Sequence, residues 1–103
     1  MIKVIVGYRV KVGVDIQPAL LKLRSYALTF PGFISAENLV RIDDNTIIAI
    51  EYKWDSIKNW QNWENTMVRK KILKEMEGLL REQPRIKIYN IMPSVGWFYT
   101  QVF

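Results

Sequence analysis

Residues 52–63 of the chain read YKWDSIKNWQNW, and two different sequence patterns meet within this stretch. Up to Trp54 the residues belong to a β-rich run that is typical of a strand. Ser56 then offers a hydroxyl oxygen that can cap the N-terminus of a helix. Trp60 and Trp63 follow about one helical turn apart, so both lie on one helix face. The stretch therefore predicts a strand that passes directly into a short helix with an aromatic face.

The chain before this stretch is predicted to form one further strand, one helix and a hairpin. Alternating apolar residues over 2–11 predict the first strand. Two β-rich runs, over residues 33–42 and 46–54, predict the hairpin because the loop between them is rich in Asp and Asn, which tolerate tight turns. Asp15 can cap a helix that stops at Pro31-Gly32. The apolar stripe of this helix consists of Ile16, Leu20, Leu23, Ala27 and Phe30.

The chain after this stretch is predicted to form a long helix and a last strand. Asn65-Thr66 offers a second cap, and an apolar face continues to near Glu82, where Pro84 prevents extension. Alternation over residues 85–91 predicts the strand. The order β-α-β-β-α-β is that of the ferredoxin-like split βαβ unit. In this α+β fold, right-handed crossovers place both helices on one face of an antiparallel sheet.

The predicted domain spans the whole chain and leaves one sheet face uncovered. We predict a single domain over residues 1–103, with a core over 2–92 and an aromatic tail over 93–103. The strands read as apolar on both sides, since Ile5 and Tyr89 lie opposite the main apolar rows of their strands. An apolar face without helices needs a second body to cover it. We therefore expect a homodimer packed sheet to sheet, with the tail reaching onto the partner.

Composition and charge exclude several classes of site. The 103 residues include neither cysteine nor histidine, which excludes Cys/His zinc sites, histidine-ligated haem, Ser-His-Asp triads and cysteine nucleophiles. No apolar stretch approaches the ~18 residues of a membrane span, and no cleavable leader follows Met1, so we expect a cytoplasmic protein without a membrane partner. The net charge is +5, but the run Arg69-Lys70-Lys71 precedes Glu75 and Glu77. That pattern predicts a solvated helix face rather than a nucleic-acid site.

Three segments have a distinctive order and spacing. The first is a strand that ends in Trp54-Asp55-Ser56, followed by Trp63 nine positions after Trp54. The others are Pro31-Gly32-Phe33-Ile34 after the first helix and Ile86-Lys87-Ile88-Tyr89 in the last strand. Together they resemble the antibiotic biosynthesis monooxygenase (ABM) family of dimeric α+β barrels, over roughly residues 2–92.

The resemblance implies a cleft between the helices and the sheet that handles small aromatic or quinone-like molecules, or haem. Some members of the family oxygenate phenolic polyketides with molecular oxygen and no cofactor, and others degrade haem. The haem-degrading branch has Asn, Trp and His at positions that fall on Tyr8, Trp63 and Leu73. Only the tryptophan matches, so an axial tyrosinate would be the one remaining haem ligand. We therefore expect no cofactor and no metal.

Cofactor-free oxygenation needs a phenol that loses its proton beside dioxygen in an apolar pocket. Trp63 can form an aromatic wall, Tyr8 or Tyr52 can hydrogen-bond the substrate oxygen, and Arg69 favours the phenolate. The candidate catalytic residues are Trp63, Asn59 and Tyr8. The candidate substrate-binding residues are Tyr52, Trp60, Met67 and Arg69. Structural roles stay open for each: core packing for the apolar and aromatic residues, a solvated charge for Arg69 and helix capping for Asn59.

The sequence thus predicts a cofactor-independent monooxygenase that acts on a small aromatic, phenolic or quinone-like compound. The alternative is a non-catalytic dimer that binds a small hydrophobic molecule without converting it. Both hypotheses use the same cleft, and a fold by itself does not choose between them.

Overall fold

A computed structural model describes residues 1–92, which form four strands and three helices. Among the helices of these residues, none has the length and apolar character needed to cross a bilayer. The predicted role of the tail over 93–103 lies outside the described residues. In chain order the elements are β1 (Ile2–Arg9), α1 (Gln17–Ala27), β2 (Phe33–Val40), β3 (Ile47–Trp54), α2 (Ile57–Glu64), α3 (Met67–Met76) with a final 3-10 turn (Glu77–Leu79), and β4 (Arg85–Asn90).

The four strands form one antiparallel sheet in the order β2-β3-β1-β4, which confirms the predicted α+β ferredoxin-like fold. Both predicted caps at the later helices are confirmed. Ser56 Oγ accepts a hydrogen bond from Asn59 N–H, and Thr66 Oγ1 accepts one from Arg69 N–H. The first helix differs, because Ile16 occupies its N-cap position while the Asp15 carboxylate accepts from Gln17 N–H at 3.0 Å.

The core lies between the sheet and the helices. Alternate residues of β1 are buried from Ile2 to Tyr8, as the period of two predicts. The stripe on α1 is also confirmed from Ile16 to Ala27. These residues pack with Ile72 of α3 and the other buried residues in one cluster. Burial of this single apolar layer stabilises the positions of the three helices over the sheet.

The strand register decides which side chains share a face. Residues paired across antiparallel strands point to the same side of the sheet. Lys3 pairs with Lys53 and Ile5 pairs with Glu51, and all four lie on the face away from the helices. Lys3 Nζ forms an ion pair with Glu51 Oε1 at 2.8 Å. The expectation of an apolar far face is therefore wrong at the centre of the sheet, because charged residues alternate with apolar ones there.

The exposed apolar surface of the sheet lies on its two edge strands instead. Ile86 and Ile88 of β4 pair with Val6 and Val4 on the helix side, yet they are 38% and 44% exposed. Leu39 of β2 lies on the opposite face and is 42% exposed. These edges are the apolar surface that the fold offers to a second chain.

The turn between α1 and β2 is built around Gly32, whose φ is +90°. Its carbonyl oxygen accepts a hydrogen bond from Asp55 N–H at 2.9 Å. A Cβ atom at this position would lie 2.6 Å from Asn59 Cβ and would also meet the Asp55 carboxylate. The start of α2 therefore rests directly on the glycine backbone, which joins two regions distant in sequence.

We expect Gly32→Ala to lower the free energy of unfolding by about 3 kcal/mol or more, because the added methyl clashes in addition to the cost of a positive φ. Gly13→Ala is the matched control. Gly13 has a φ of +80° and nothing within 4 Å of an added Cβ, so only the backbone cost of about 1–2 kcal/mol applies. Urea unfolding of both variants measures the difference. Equal losses would contradict the close approach of α2.

Candidate functional site

An aromatic cluster forms where β3 passes into α2. Tyr52 and Trp54 point to the helix side of β3, where Trp60 of α2 meets both rings. The ring centroids of Trp60 lie 5.9 Å from Tyr52 and 6.1 Å from Trp54. Trp63 is fully buried and contacts Phe30 at 5.1 Å. Tilted and edge-on contacts at these distances stabilise aromatic pairs by more than the burial of their surface alone. The rings therefore pack together as one aromatic wall.

A buried arginine adjoins this wall. Arg69 is 7% exposed because the cap at Thr66 starts α3 in a phase that turns this residue inward. Its guanidinium carbon lies 5.4 Å from the centre of the Trp60 ring, a cation–π contact. Nη1 donates to the carbonyl oxygen of Glu64 at 3.4 Å. Within residues 1–92 no carboxylate lies within ion-pair distance of this cation, which is unusual for a buried charge.

The charge of Arg69 affects the pKa values of two buried tyrosines. Burial raises the pKa of Tyr8 strongly, and the nearby Tyr52 raises this pKa further, while Arg69 acts in the opposite direction. Burial also raises the pKa of Tyr52 to about 12, against the effects of Arg69 and then Arg24. Both hydroxyl groups therefore stay protonated at neutral pH. They are hydrogen-bond donors there, not general bases.

The structure brings five of the seven candidate site residues to the helix–sheet interface. Those five are buried in the core: Tyr8, Tyr52, Trp60, Trp63 and Arg69. Asn59 is held at the start of α2, where its Nδ2 donates to the Asp55 carboxylate at 2.8 Å and its N–H donates to Ser56. Met67 is 79% exposed and lines a depression on the outer side of α3 with Val68 and three lysines. The geometry thus supports a structural role for Asn59 and does not place Met67 at the cluster.

Arg24 also belongs to this region, although it is not among the predicted site residues. It lies on α1, half-buried, and its Nη2 donates to the carbonyl oxygen of Ala36. Ala36 is the cross-strand partner of Tyr52, which explains the electrostatic effect of Arg24 on that tyrosine. A signal for it exists in the sequence. Arg24 follows Leu20 by four positions, so helical spacing places it beside the apolar stripe.

A cavity of about 350 Å³ opens between α1 and the β2–β3 hairpin. Its lining includes Leu20, Asn38, Val40 and Ile48. Ile48 is the cross-strand partner of Tyr8, but none of the seven candidate residues is part of the cavity lining. Within residues 1–92 no group of three or more acidic side chains is placed to hold a metal ion. The cavity therefore offers apolar and amide side chains and the Asp15 carboxylate to a ligand.

Known structures share the fold of this chain, although no protein-family model and no curated protein sequence matches it. A crystal structure of an antibiotic biosynthesis monooxygenase gives a TM-score of 0.79 at 15% identity, over 90% of this chain and 100% of that one. SnoaB, a cofactor-independent oxygenase from Streptomyces nogalater, gives 0.79 at 9% identity, over 91% of this chain and 95% of that one. Rv0793 from Mycobacterium tuberculosis gives 0.79 at 10% identity, over 89% and 95%.

At these identities the likeness shows the fold alone. The chain has the ferredoxin-like α+β fold of proteins described as antibiotic biosynthesis monooxygenases. The resemblance to the ABM family that its sequence motifs indicate is confirmed at that level.

We expect the protein to lose stability as the pH rises from about 10 to about 12. A tyrosine in the unfolded chain loses its proton near pH 10, whereas the pKa of folded Tyr52 is about 12, so the unfolded state binds fewer protons in this range. Tyr52 alone then contributes a slope of up to about 1.4 kcal/mol per pH unit. Urea unfolding of Tyr52→Phe across this range should show a smaller slope than the wild type. A Tyr52→Phe slope equal to that of the wild type would refute the assignment.

Proposed function

We propose that the protein is a cofactor-independent monooxygenase acting on a small aromatic, phenolic or quinone-like compound in the cleft between helices and sheet. The observation that carries this proposal is Arg69, a buried cation without a carboxylate partner among residues 1–92, seated on the Trp60 ring next to Tyr52. An uncompensated cation inside an apolar site favours the anionic form of a bound phenol. That is the form from which molecular oxygen can take electrons.

The proposed reaction needs no group beyond substrate and oxygen. A phenolate with an activated methylene position supplies the electrons, one oxygen atom enters as a carbonyl, and the other leaves as water with the two methylene hydrogens. Arg69 stabilises the phenolate, while the Tyr52 and Tyr8 hydroxyl groups donate hydrogen bonds to developing oxygen anions. Trp63 and Trp60 form the aromatic wall that orients the ring and keeps water away. SnoaB, whose fold this chain shares, is described as a cofactor-independent oxygenase, which supports the choice of reaction.

A non-catalytic binding protein is the second candidate, and one observation favours it. The two buried tyrosines are protonated at neutral pH, and a guanidinium is no base in water. Among the described residues, the cluster therefore holds none that accepts the phenol proton. Under the enzyme hypothesis the acidity of the substrate, increased by Arg69, must be enough for ionisation.

Oxygen uptake with anthrone-like and hydroquinone-like phenols tests the enzyme hypothesis. We expect Arg69→Met to lower the rate about tenfold or more, because it removes the buried charge that favours the phenolate beside Trp60. Arg69→Lys should retain part of the rate, and Trp63→Phe should lower it severalfold. Lys71→Gln changes an exposed charge of the same helix and should leave the rate unchanged. If no phenol raises oxygen uptake above background while the same compounds quench tryptophan fluorescence, the binding protein is the correct function.

We also propose that two copies associate through the sheet face away from the helices, with Leu39 of β2 and Tyr89 of β4 inside the contact. Sedimentation at micromolar concentration should show a dimer, because exposed apolar rows on β2 and β4 favour association. Leu39→Glu places a charge on this surface and should shift the equilibrium toward monomer. Val12→Glu is the control, since Val12 is exposed in the loop before α1. A wild type that stays monomeric at all concentrations would exclude this association.

A further inference from the structure

The region around Arg69 holds hydrogen-bond donors that residues 1–92 leave without an acceptor. A guanidinium carries five N–H donors, and Arg69 makes one side-chain hydrogen bond, to Glu64 O, within residues 1–92. The indole N–H of Trp60, whose ring lies under that guanidinium, is buried with no acceptor among residues 1–92. This buried indole N–H without an acceptor costs about 1–3 kcal/mol. The region therefore fits a ligand rich in acceptor oxygens.

The chain supplies no carboxylate side chain to this region. All ten Asp and Glu residues lie between residues 15 and 82, inside the described part. None of their carboxylate oxygens is within 4.0 Å of a guanidinium nitrogen of Arg69 or Arg24, and the sequence of the tail over 93–103 contains no acidic residue. Burial of an unpaired cation is strongly unfavourable, so a negative charge from outside the chain would stabilise this arrangement.

Arg24 provides a second cation near the same tyrosine. Its guanidinium is attached to the carbonyl oxygen of Ala36, whose cross-strand partner is Tyr52. Arg69 approaches Tyr52 through the Trp60 ring, which packs on the tyrosine at 5.9 Å. Two cations, one on α1 and one on α3, thus lie near Tyr52 of β3. Arg24 is half-buried, whereas Arg69 is buried, so Arg24 is the cation nearer to solvent.

We infer that Arg24 binds a carboxylate of the ligand while Arg69 faces its phenolate, so that the ligands of this site are hydroxylated aromatic carboxylic acids rather than neutral phenols. The inference rests on the proposed function for the position of the aromatic ring. The hydrogen bond to Ala36 holds the guanidinium plane, and its remaining N–H donors match the two oxygens of a carboxylate. The two negative charges of such a ligand balance the two cations, and its oxygens meet the surplus donors.

Binding of a matched pair of compounds tests this assignment independently of turnover. The probes are a hydroxynaphthoate and the uncharged hydroxynaphthamide with the same substitution, and quenching of tryptophan fluorescence measures their affinities at low salt. We expect the carboxylate to bind about tenfold more tightly than the amide, since a charge-assisted bidentate contact is lost in the amide. Added salt should reduce this ratio.

Substitutions then assign the preference to Arg24. Arg24→Gln should bring the two affinities to within about twofold of each other, and Arg24→Lys should keep part of the difference. Lys22→Gln is the matched control, because it removes one positive charge from an exposed position on the same helix and should leave the ratio unchanged. Thermal unfolding of each variant shows whether it is folded before binding is compared.

Three outcomes overturn the inference: equal affinity for both probes, binding of neither probe, or an equal effect of Arg24→Gln and Lys22→Gln. Its failure is distinct from failure of the proposed function. Oxygen uptake with neutral phenols and no preference for carboxylates would support the monooxygenase function and contradict the proposed specificity. A carboxylate preference that depends on Arg24, without any oxygen uptake, would establish the specificity of a binding protein.

Discussion

The burial of three tryptophans around the junction of β3 and α2 is the constraint on which the rest of the structure depends. Trp54 ends the strand, and only Asp55 and Ser56 separate it from the helix that carries Trp60 and Trp63. With so short a connection, all three rings reach the core only if α2 turns back over the sheet at once. Gly32 leaves the space for that turn, because its missing side chain lets α2 approach.

This placement of α2 determines what α3 can bury. A second cap at Thr66 restarts the helix after Glu64, and the new phase turns Arg69 toward Trp60. The protein then holds a guanidinium in a region whose other described polar groups include tyrosine hydroxyls, an indole N–H and the guanidinium of Arg24. Such an environment stabilises anions and does not accept protons at neutral pH. The chemistry open to the site is therefore stabilisation of an anionic ligand, with or without a reaction of that ligand with oxygen.

Sequence periodicity predicted most of the fold and part of the site. The alternation in β1, the stripe from Ile16 to Ala27 and the caps at Ser56 and Thr66 depend on local chemistry, and the structure confirms them. Met67, a candidate substrate-binding residue, follows Trp63 by four positions, which in one continuous helix would place both on the same face. That spacing fails because one helix ends at Glu64 and another begins at Met67, so the helical phase does not continue across the break.

The order of the elements, the buried side of β1 and the aromatic face of α2 were determined by the sequence itself, because the backbone periods of strands and helices translate directly into faces. Only the tertiary structure decided which charges meet Tyr52. Arg24 reaches it through Ala36 of a neighbouring strand, and Arg69 reaches it through the Trp60 ring. It also decided that charged pairs such as Lys3 and Glu51 occupy the far face. These contacts join residues far apart in the chain, so they depend on strand register and helix packing. A local sequence pattern does not predict them.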